Sequence, residues 1–266
     1  MRTIVFFLAI TFGLLSVNAQ DVRDFNTNNS LSIGIGFSAA NILDKRLSNK
    51  YIFGLNPKYS ISYRQANEKR ISQVEVNFVN YKDPGTRLVR FNSIKSNVYY
   101  SYERKINDGV WVGGFFDHST LLTFPINNNN IFVNNTISYT LLQSIGPSVT
   151  YAQSFNKLLL TSSAQTSLLS YAVQPIYGHP YPEKFLDERV FNPTQEGLAG
   201  PLVRSGKLLT LNKYRSMRVS FGLSYFLSPA ISIGLDYTAD LFYANANGKS
   251  IFFNGQDLML KASYIH

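Results

Sequence analysis

Residues 230–243 read A-I-S-I-G-L-D-Y-T-A-D-L-F-Y. Ile231, Ile233, Leu235, Tyr237, Ala239, Leu241 and Tyr243 fall on one side of an extended chain, and Ser232, Gly234, Asp236, Thr238 and Asp240 on the other. Side chains alternate along a strand, so one face is oily and the other polar. Such a strand suits lipid on one side and water or a polar interior on the other. Residues 209–225 show the same period, and it recurs from Leu31 to the last residue, cut by turns into about ten segments. The pattern predicts an all-β chain, a transmembrane antiparallel up-and-down β-barrel of about ten strands, with eight or twelve as alternatives.

The start of the chain has another character. Met1-Arg2 precedes an apolar run from Ile4 to Leu15, and Val17-Asn18-Ala19 precedes Gln20. A charged start, a short apolar core and a small-residue site make a secretory signal, expected over 1–19, with the barrel over 20–266. The run is too short for a membrane-spanning helix, which needs roughly 20 residues. The chain has no cysteine, which removes disulfides, thiolate chemistry and cysteine metal sites. The net charge of +9 is dispersed, with no Lys/Arg run and no nucleic-acid-binding motif, so exposed cations point to anionic lipid or lipopolysaccharide rather than nucleic acid.

Strands are expected over 31–39, 51–64, 70–81, 88–103, 110–124, 131–153, 157–173, 207–226, 230–243 and 251–266. The turns between them are rich in Gly, Pro, Asn and Asp. With the first strand rising from the periplasm, every second connection should be a short periplasmic turn. The connections after the second, fourth, sixth and eighth strands are short, and the long segment 174–206 falls on the extracellular side. Pro147 cannot donate to a ladder, so a bulge or break is expected there. Tyr63, Tyr100, Tyr102, Trp111, Tyr151, Tyr225 and Tyr264 cluster near expected periplasmic ends. Phe124, Phe132, Tyr171, Tyr243 and Phe252 cluster near outer ends. The two levels suit the aromatic girdles of a membrane barrel.

The last strand resembles the assembly signal of outer-membrane barrels. Tyr264, Ala262, Leu260 and Leu258 alternate, although His266 stands where a terminal Phe is usual. Gln20 directly after the small-residue site, with an Asn-, Tyr- and Lys-rich barrel, resembles Bacteroidota-type outer-membrane barrel proteins. That resemblance implies export to the outer membrane. The Asn-Pro-Ala-Tyr-like signature of the type IX secretion barrels is missing, and no peptidoglycan-binding domain is expected after His266.

By alternation the inward set includes Lys58, Arg64, Gln73, Glu75, Lys95, Asn97, Gln165, Arg218, Asp236, Asp240, Asp257 and Lys261. A ten-stranded lumen is narrow, and both signs are present, so the size argument favours a charge-compensated, filled interior over a small selective pore. Asp117-His118-Ser119-Thr120 is the one catalytic-looking cluster, but His118 and Ser119 point to opposite faces of a strand. The Asn-Gly that follows His and Ser in outer-membrane phospholipases is absent. Resemblance to the omptin proteases is strand number alone. His179, near Glu183, Asp187 and Glu188, lacks metal-ligand spacing. No catalytic residue, metal or cofactor is expected.

Residues 174–206 carry five of the ten prolines together with Tyr177, Tyr181, Phe185, Leu186, Val190 and Phe191. Apolar residues in a proline-stiffened loop need cover, which points to a lid on the barrel mouth or a docked partner. Arg90, Lys213 and Arg215 fall on the outward face near outer strand ends and are candidate lipopolysaccharide contacts, unless the strands leave the membrane there. The expectation is a non-enzymatic barrel acting as accessory or scaffold subunit of an envelope complex, with a protein partner. The alternatives are a passive small-solute or ion channel, and a lipid- or peptide-processing hydrolase.

Overall fold

A computed structural model describes residues 29–45, 52–82, 89–127, 138–173, 206–245 and 250–266. The signal segment, the partner-loop residues Tyr177, Tyr181, Phe185, Leu186 and Phe191, and Phe132 lie outside the described residues, as do the side chains of Arg90 and Phe124. The described chain is all β: β1 Ser30–Asp44, β2 Ile52–Asn67, β3 Arg70–Lys82, β4 Val89–Asn107, β5 Val110–Asn127, β6 Ser138–Phe155, β7 Leu158–Thr166, β8 Leu169–Val173, β9 Lys207–Thr210, β10 Tyr214–Ser228, β11 Ile231–Ala244 and β12 Ile251–Ile265. Ten of these form a closed antiparallel ring, β1-β2-β3-β4-β5-β6-β7-β10-β11-β12 and back to β1, and β8 and β9 are the two extra strands.

Closure has a measurable stagger. The register runs from Asn67 through Arg70, Arg104, Val112, Val149, Ala164, Val219, Ala239, Gln256 and Ala39. It returns to β2 at Leu55, twelve residues from its starting point at 67. A shear of this size on ten strands tilts them by about 40° and keeps the interior narrow.

The extra strands come from two single strands that the alternation predicted unbroken, 157–173 and 207–226. Ser148 pairs with Gln165 but Ile145 pairs with Leu169, so three steps on β6 face four on its neighbour. The surplus residue sits at Ser167–Leu168. Pro147 itself lies inside continuous β6 and pairs with Gly114. The break expected at Pro147 is therefore absorbed by the strand beside it. Across the next seam, Thr166 pairs with Met217 and Leu169 with Thr210, three residues against seven. The excess folds into a turn at Leu211–Lys213, held by Lys213 N–H donating to the Thr210 carbonyl at 2.9 Å.

Outside the ring the side chains are apolar and uncovered, with Ile33 64% and Leu260 55% exposed alongside Ile35, Phe37, Ile61 and Leu235. A continuous apolar surface of this extent does not stay in water. Tyr63, Tyr100, Tyr225 and Tyr264 also face out. Trp111 does not: it shares the parity of the inward residues Phe115 and Asp117 and is 1% exposed. It packs with Ala66, Ile71, Ala152 and Leu159 inside the barrel, which corrects its assignment to the lipid-facing girdle at the periplasmic ends.

The two ends differ. Short turns and both described termini share one end. There, Asn67 Oδ1 accepts from the N–H groups of Lys69 and Arg70 at 3.0 and 2.9 Å, Gly109 adopts φ 75°, and Asn29 and His266 exchange backbone hydrogen bonds at 3.2 and 3.0 Å.

Gly146, on the inner face of β6, is required by the slip: an added Cβ would lie 2.0 Å from the Thr166 carbonyl oxygen. Gly146→Val is expected to lower barrel stability by about 2 kcal/mol or more, and Gly114→Ala, on the outer face, by a fraction of that. Urea unfolding, followed by the gel-mobility difference between folded and heated protein, measures both.

Candidate functional site

Alternation turns polar side chains from every stave into the lumen, and the register decides which of them meet. Arg218 and Asp240 are direct cross-strand partners on β10 and β11. Their side chains meet at 3.3 Å, and Arg218 also lies 3.9 Å from Asp117 on β5. Lys58 on β2 reaches over β1 to Asp257 on β12 at 2.6 Å. The crossing is possible because the β1 residue paired with Lys58 is Gly36. Lys261 on β12 bridges Asp236 at 2.8 Å and Glu75 at 3.2 Å. Lys95 on β4 meets Asp240 on β11 at 2.5 Å. β4 and β11 stand opposite each other in the ring, so this pair is a strut across the full lumen.

Neutral groups complete the belt. Asn77 donates to Glu75 at 2.8 Å, Gln165 Nε2 donates to the Tyr99 hydroxyl at 2.6 Å, and Asn97 donates to Asp117. Arg218 lies 5.5 Å from the Tyr99 ring centre. Each carboxylate of the belt, Glu75, Asp117, Asp236, Asp240 and Asp257, has a cation within 4 Å. Buried charge is tolerable when paired and hydrogen-bonded in this way.

Beyond the strut, away from the short turns, the lumen becomes apolar. Tyr81, Phe242, Phe253, Leu121, Leu142 and Tyr214 belong to one buried cluster. Phe242 and Phe253 stack at 5.1 Å, and the Lys95 ammonium sits 3.9 Å from the Phe253 ring centre. Lys95 thus joins the charged belt to an aromatic cap. On the other side of the strut, a cavity of about 560 Å³ reaches toward the short-turn end, where Asn156, Lys157, Ser228 and Pro229 line it. Its walls carry Arg64, Gln73, Glu75 and Lys261 among many serines and threonines, whose small side chains leave the space open. Thr150 donates to Glu103 at 3.1 Å within this wall.

All of the inward residues named from the alternation therefore face the lumen. Asp117, Glu103, Asn77, Tyr99, Trp111 and the aromatic cap are among the lumen residues that the alternation had not named. Asp117 was legible, because Phe115, Asp117 and Ser119 alternate with Phe116, His118 and Thr120. His118 faces outward with Gln143 Nε2 3.5 Å from its Nδ1, while Asp117 and Ser119 are buried inside, so no nucleophile–base pair forms there. Arg215 is exposed on the outer face of β10, its Nε donating to the Leu211 carbonyl at 2.9 Å, and Lys213 is exposed in the turn before it. Among the described residues no group of three His or acidic side chains is placed to hold a metal.

No protein-family profile matches the chain, and no curated protein matches its sequence. Solved structures do. The outer membrane protease OmpT from Escherichia coli is similar at 9% identity and TM-score 0.51, over 94% of this chain and 100% of that one. The translocator domain of the autotransporter NalP from Neisseria meningitidis is similar at 8% identity and TM-score 0.49, over 99% and 94%. The attachment invasion locus protein Ail of Yersinia pestis is similar at 12% identity and TM-score 0.34, over 90% and 99%. At these identities the likeness is one of fold: the chain has the closed β-barrel architecture of bacterial outer-membrane proteins.

Proposed function

We propose that the chain is an outer-membrane barrel that does not conduct and serves as an accessory or scaffold subunit of an envelope complex. Its short-turn end lies in the periplasm, after Sec-dependent export and cleavage near Ala19 and Gln20. The observation that carries this reading is the Lys95–Asp240 strut lying against the Phe242–Phe253 stack. A paired charge belt backed by an aromatic layer supports a filled lumen over an open one. A barrel whose interior is spent on packing works through its surfaces. The apolar, proline-rich segment 174–206 supports a protein partner from its composition, and Arg90, Lys213 and Arg215 support contact with lipopolysaccharide from their charge and place in the chain. The composition and Gln20 support a Bacteroidota source.

One observation favours the channel as second reading: the cavity of about 560 Å³ occupies the half of the lumen beneath the strut, so only the cap and belt stand between it and the far side.

Three measurements separate these readings. In planar bilayers the wild-type barrel is expected to stay silent, and Lys95→Ala combined with Phe242→Ala and Phe253→Ala to conduct. Steady wild-type openings would mean a channel. Asp240→Asn strands the buried Lys95 ammonium and leaves Arg218 with Asp117 alone, and is expected to cost about 3 kcal/mol or more, whereas Lys95→Met leaves Asp240 with Arg218 and should cost less than about 1 kcal/mol. Urea unfolding in lipid vesicles reads that difference. Affinity purification from native outer membranes should recover a stoichiometric companion that is lost on deleting 174–206. A lone, monodisperse barrel argues against the subunit role.

A further inference from the structure

The outer surface of β3 and β4 at the short-turn end carries a charge arrangement the ladder does not favour. Arg70 and Arg104 are direct cross-strand partners. Both are exposed, and they share the outward face with Val74, Tyr100 and Tyr102. Directly opposed residues have Cβ atoms about 5 Å apart, and like charges at that spacing repel. Among the described residues neither guanidinium has a carboxylate within salt-bridge distance.

The surroundings add to the positive charge. Asn67, Glu68, Lys69, Arg70, Tyr102, Arg104 and Lys105 line one shallow cleft, in which Glu68 is the single carboxylate. Lys105 is engaged elsewhere: its Nζ lies 2.8 Å from Asp108 in the exposed β4–β5 turn, and that hydrogen bond holds the Asp108 carboxyl below the ordinary aspartate range. The Arg104 Nε donates to the Tyr102 hydroxyl at 3.4 Å, and the guanidinium carbon lies 5.9 Å from the Tyr102 ring centre. The Tyr102 hydroxyl is a hydrogen-bond partner of Arg70 as well as Arg104, and each guanidinium has five N–H donors in a planar fork, so both keep further donors. Elsewhere on this rim, the β6–β7 turn carries one lysine, Lys157, and the β10–β11 turn Ser228-Pro229-Ala230 carries no charge.

A cross-strand pair of uncompensated arginines beside a tyrosine, on the lipid-facing side and at the level of the aromatic rings, matches one ligand chemistry. A phosphate oxyanion accepts from two guanidinium forks at once, and a phosphodiester at that depth belongs to a membrane lipid. We propose that Arg70 and Arg104, with Lys69 and Tyr102, bind the headgroup phosphate of an anionic phospholipid in the periplasmic leaflet. The proposal rests on the membrane orientation given above and not on whether the lumen conducts. Bound lipid relieves the Arg70–Arg104 repulsion, so the barrel is most stable where that lipid is present. The site fixes one sector of the barrel, β2 to β5, against the leaflet.

The test uses the full mature barrel, folded in dodecyl maltoside and titrated with phosphatidylglycerol while bound lipid is counted by native mass spectrometry. R70Q/R104Q is expected to bind about 30-fold more weakly, each surface cation contributing roughly fivefold, and K157Q to bind as wild type. R70Q/R104Q removes a repulsion, so its folding should be intact, and the gel-mobility difference on heating verifies this; R104Q alone, at roughly fivefold, is the second variant. Equal binding by wild type and R70Q/R104Q overturns the proposal. Saturation by inorganic phosphate at the same concentration as the lipid makes it a free-anion site and overturns the lipid assignment. Lipid-free capture of a polyglutamate peptide, abolished in R70Q/R104Q, makes it a protein-docking surface and likewise overturns it. A chain that never shows the heat-dependent mobility of a folded barrel would instead defeat the membrane reading on which the site rests.

Discussion

Closure of the backbone ladder is the constraint from which the rest of this structure follows. In hydrocarbon each unpaired N–H or C=O costs several kcal/mol, so a sheet that enters lipid must have no free edge. β1 meets that demand by pairing with β2 on one side and β12 on the other, along nearly its whole length. Ten staves and a stagger of twelve residues then set the tilt and the bore together. Everything inside must fit the narrow cylinder that results, and everything outside must face lipid. The local repairs serve the same end. Where Pro147 cannot donate, the chain spends an extra residue at Ser167–Leu168 rather than open the wall, and Leu168 N–H still reaches the Ile145 carbonyl at 3.0 Å.

The bore explains the division of the interior. Near the short-turn end, serines and threonines keep the walls thin and the space open. At mid-height, lysine and arginine stems are long enough to reach carboxylates two or more staves away, and small residues on β1 clear the route for Lys58. Ion pairs of this kind contribute little net stability, because desolvation offsets most of the attraction. Their value is geometric: a strut such as Lys95–Asp240 holds opposite walls at a fixed distance and specifies which side chains fill the centre. The aromatic cap then covers one side of the belt, with Lys95 bonded to the belt and lying against the cap.

Much of this was legible in the amino-acid order, and the limits have physical causes. Strands such as 231–243 announce themselves because lipid and lumen demand opposite chemistry at successive positions. The inward charges could be named for the same reason. Their partners could not, since Lys95 and Asp240 are distant in the chain and meet only after the ring closes. The cap was hidden because at Phe242 both flanking residues, Leu241 and Tyr243, are apolar too and a period needs contrast to be seen, while Tyr81, between Asn80 and Lys82, and Phe253, beside Asn254, put the apolar side chain inward where the rest of the pattern puts polar ones. Trp111 went astray for a different reason: its height in the barrel suggested a girdle, and its parity with Asp117, which decides its face, was the better guide. At Pro147 the sequence marks where a ladder must yield, but whether the proline's own strand or its neighbour bends depends on pairing geometry.

On the proposed non-conducting reading the question of function moves to the exterior, and there the staves are not equivalent. Around β11, β12, β1 and β2 the outer face is almost continuously aliphatic and aromatic, which suits bulk lipid and little else. The β3–β4 sector combines tyrosines with an arginine pair that opposes itself across the ladder. Selection for stability alone would replace one of those arginines, since repulsion at a direct cross-strand position has no compensating carboxylate among the described residues. Its presence is most economically explained by something outside the chain that supplies the negative charge. The same reasoning separates the rim cations from the lumen cations: Lys58, Lys95, Arg218 and Lys261 each have their counter-ion built in, and among the described residues Arg70 and Arg104 have none.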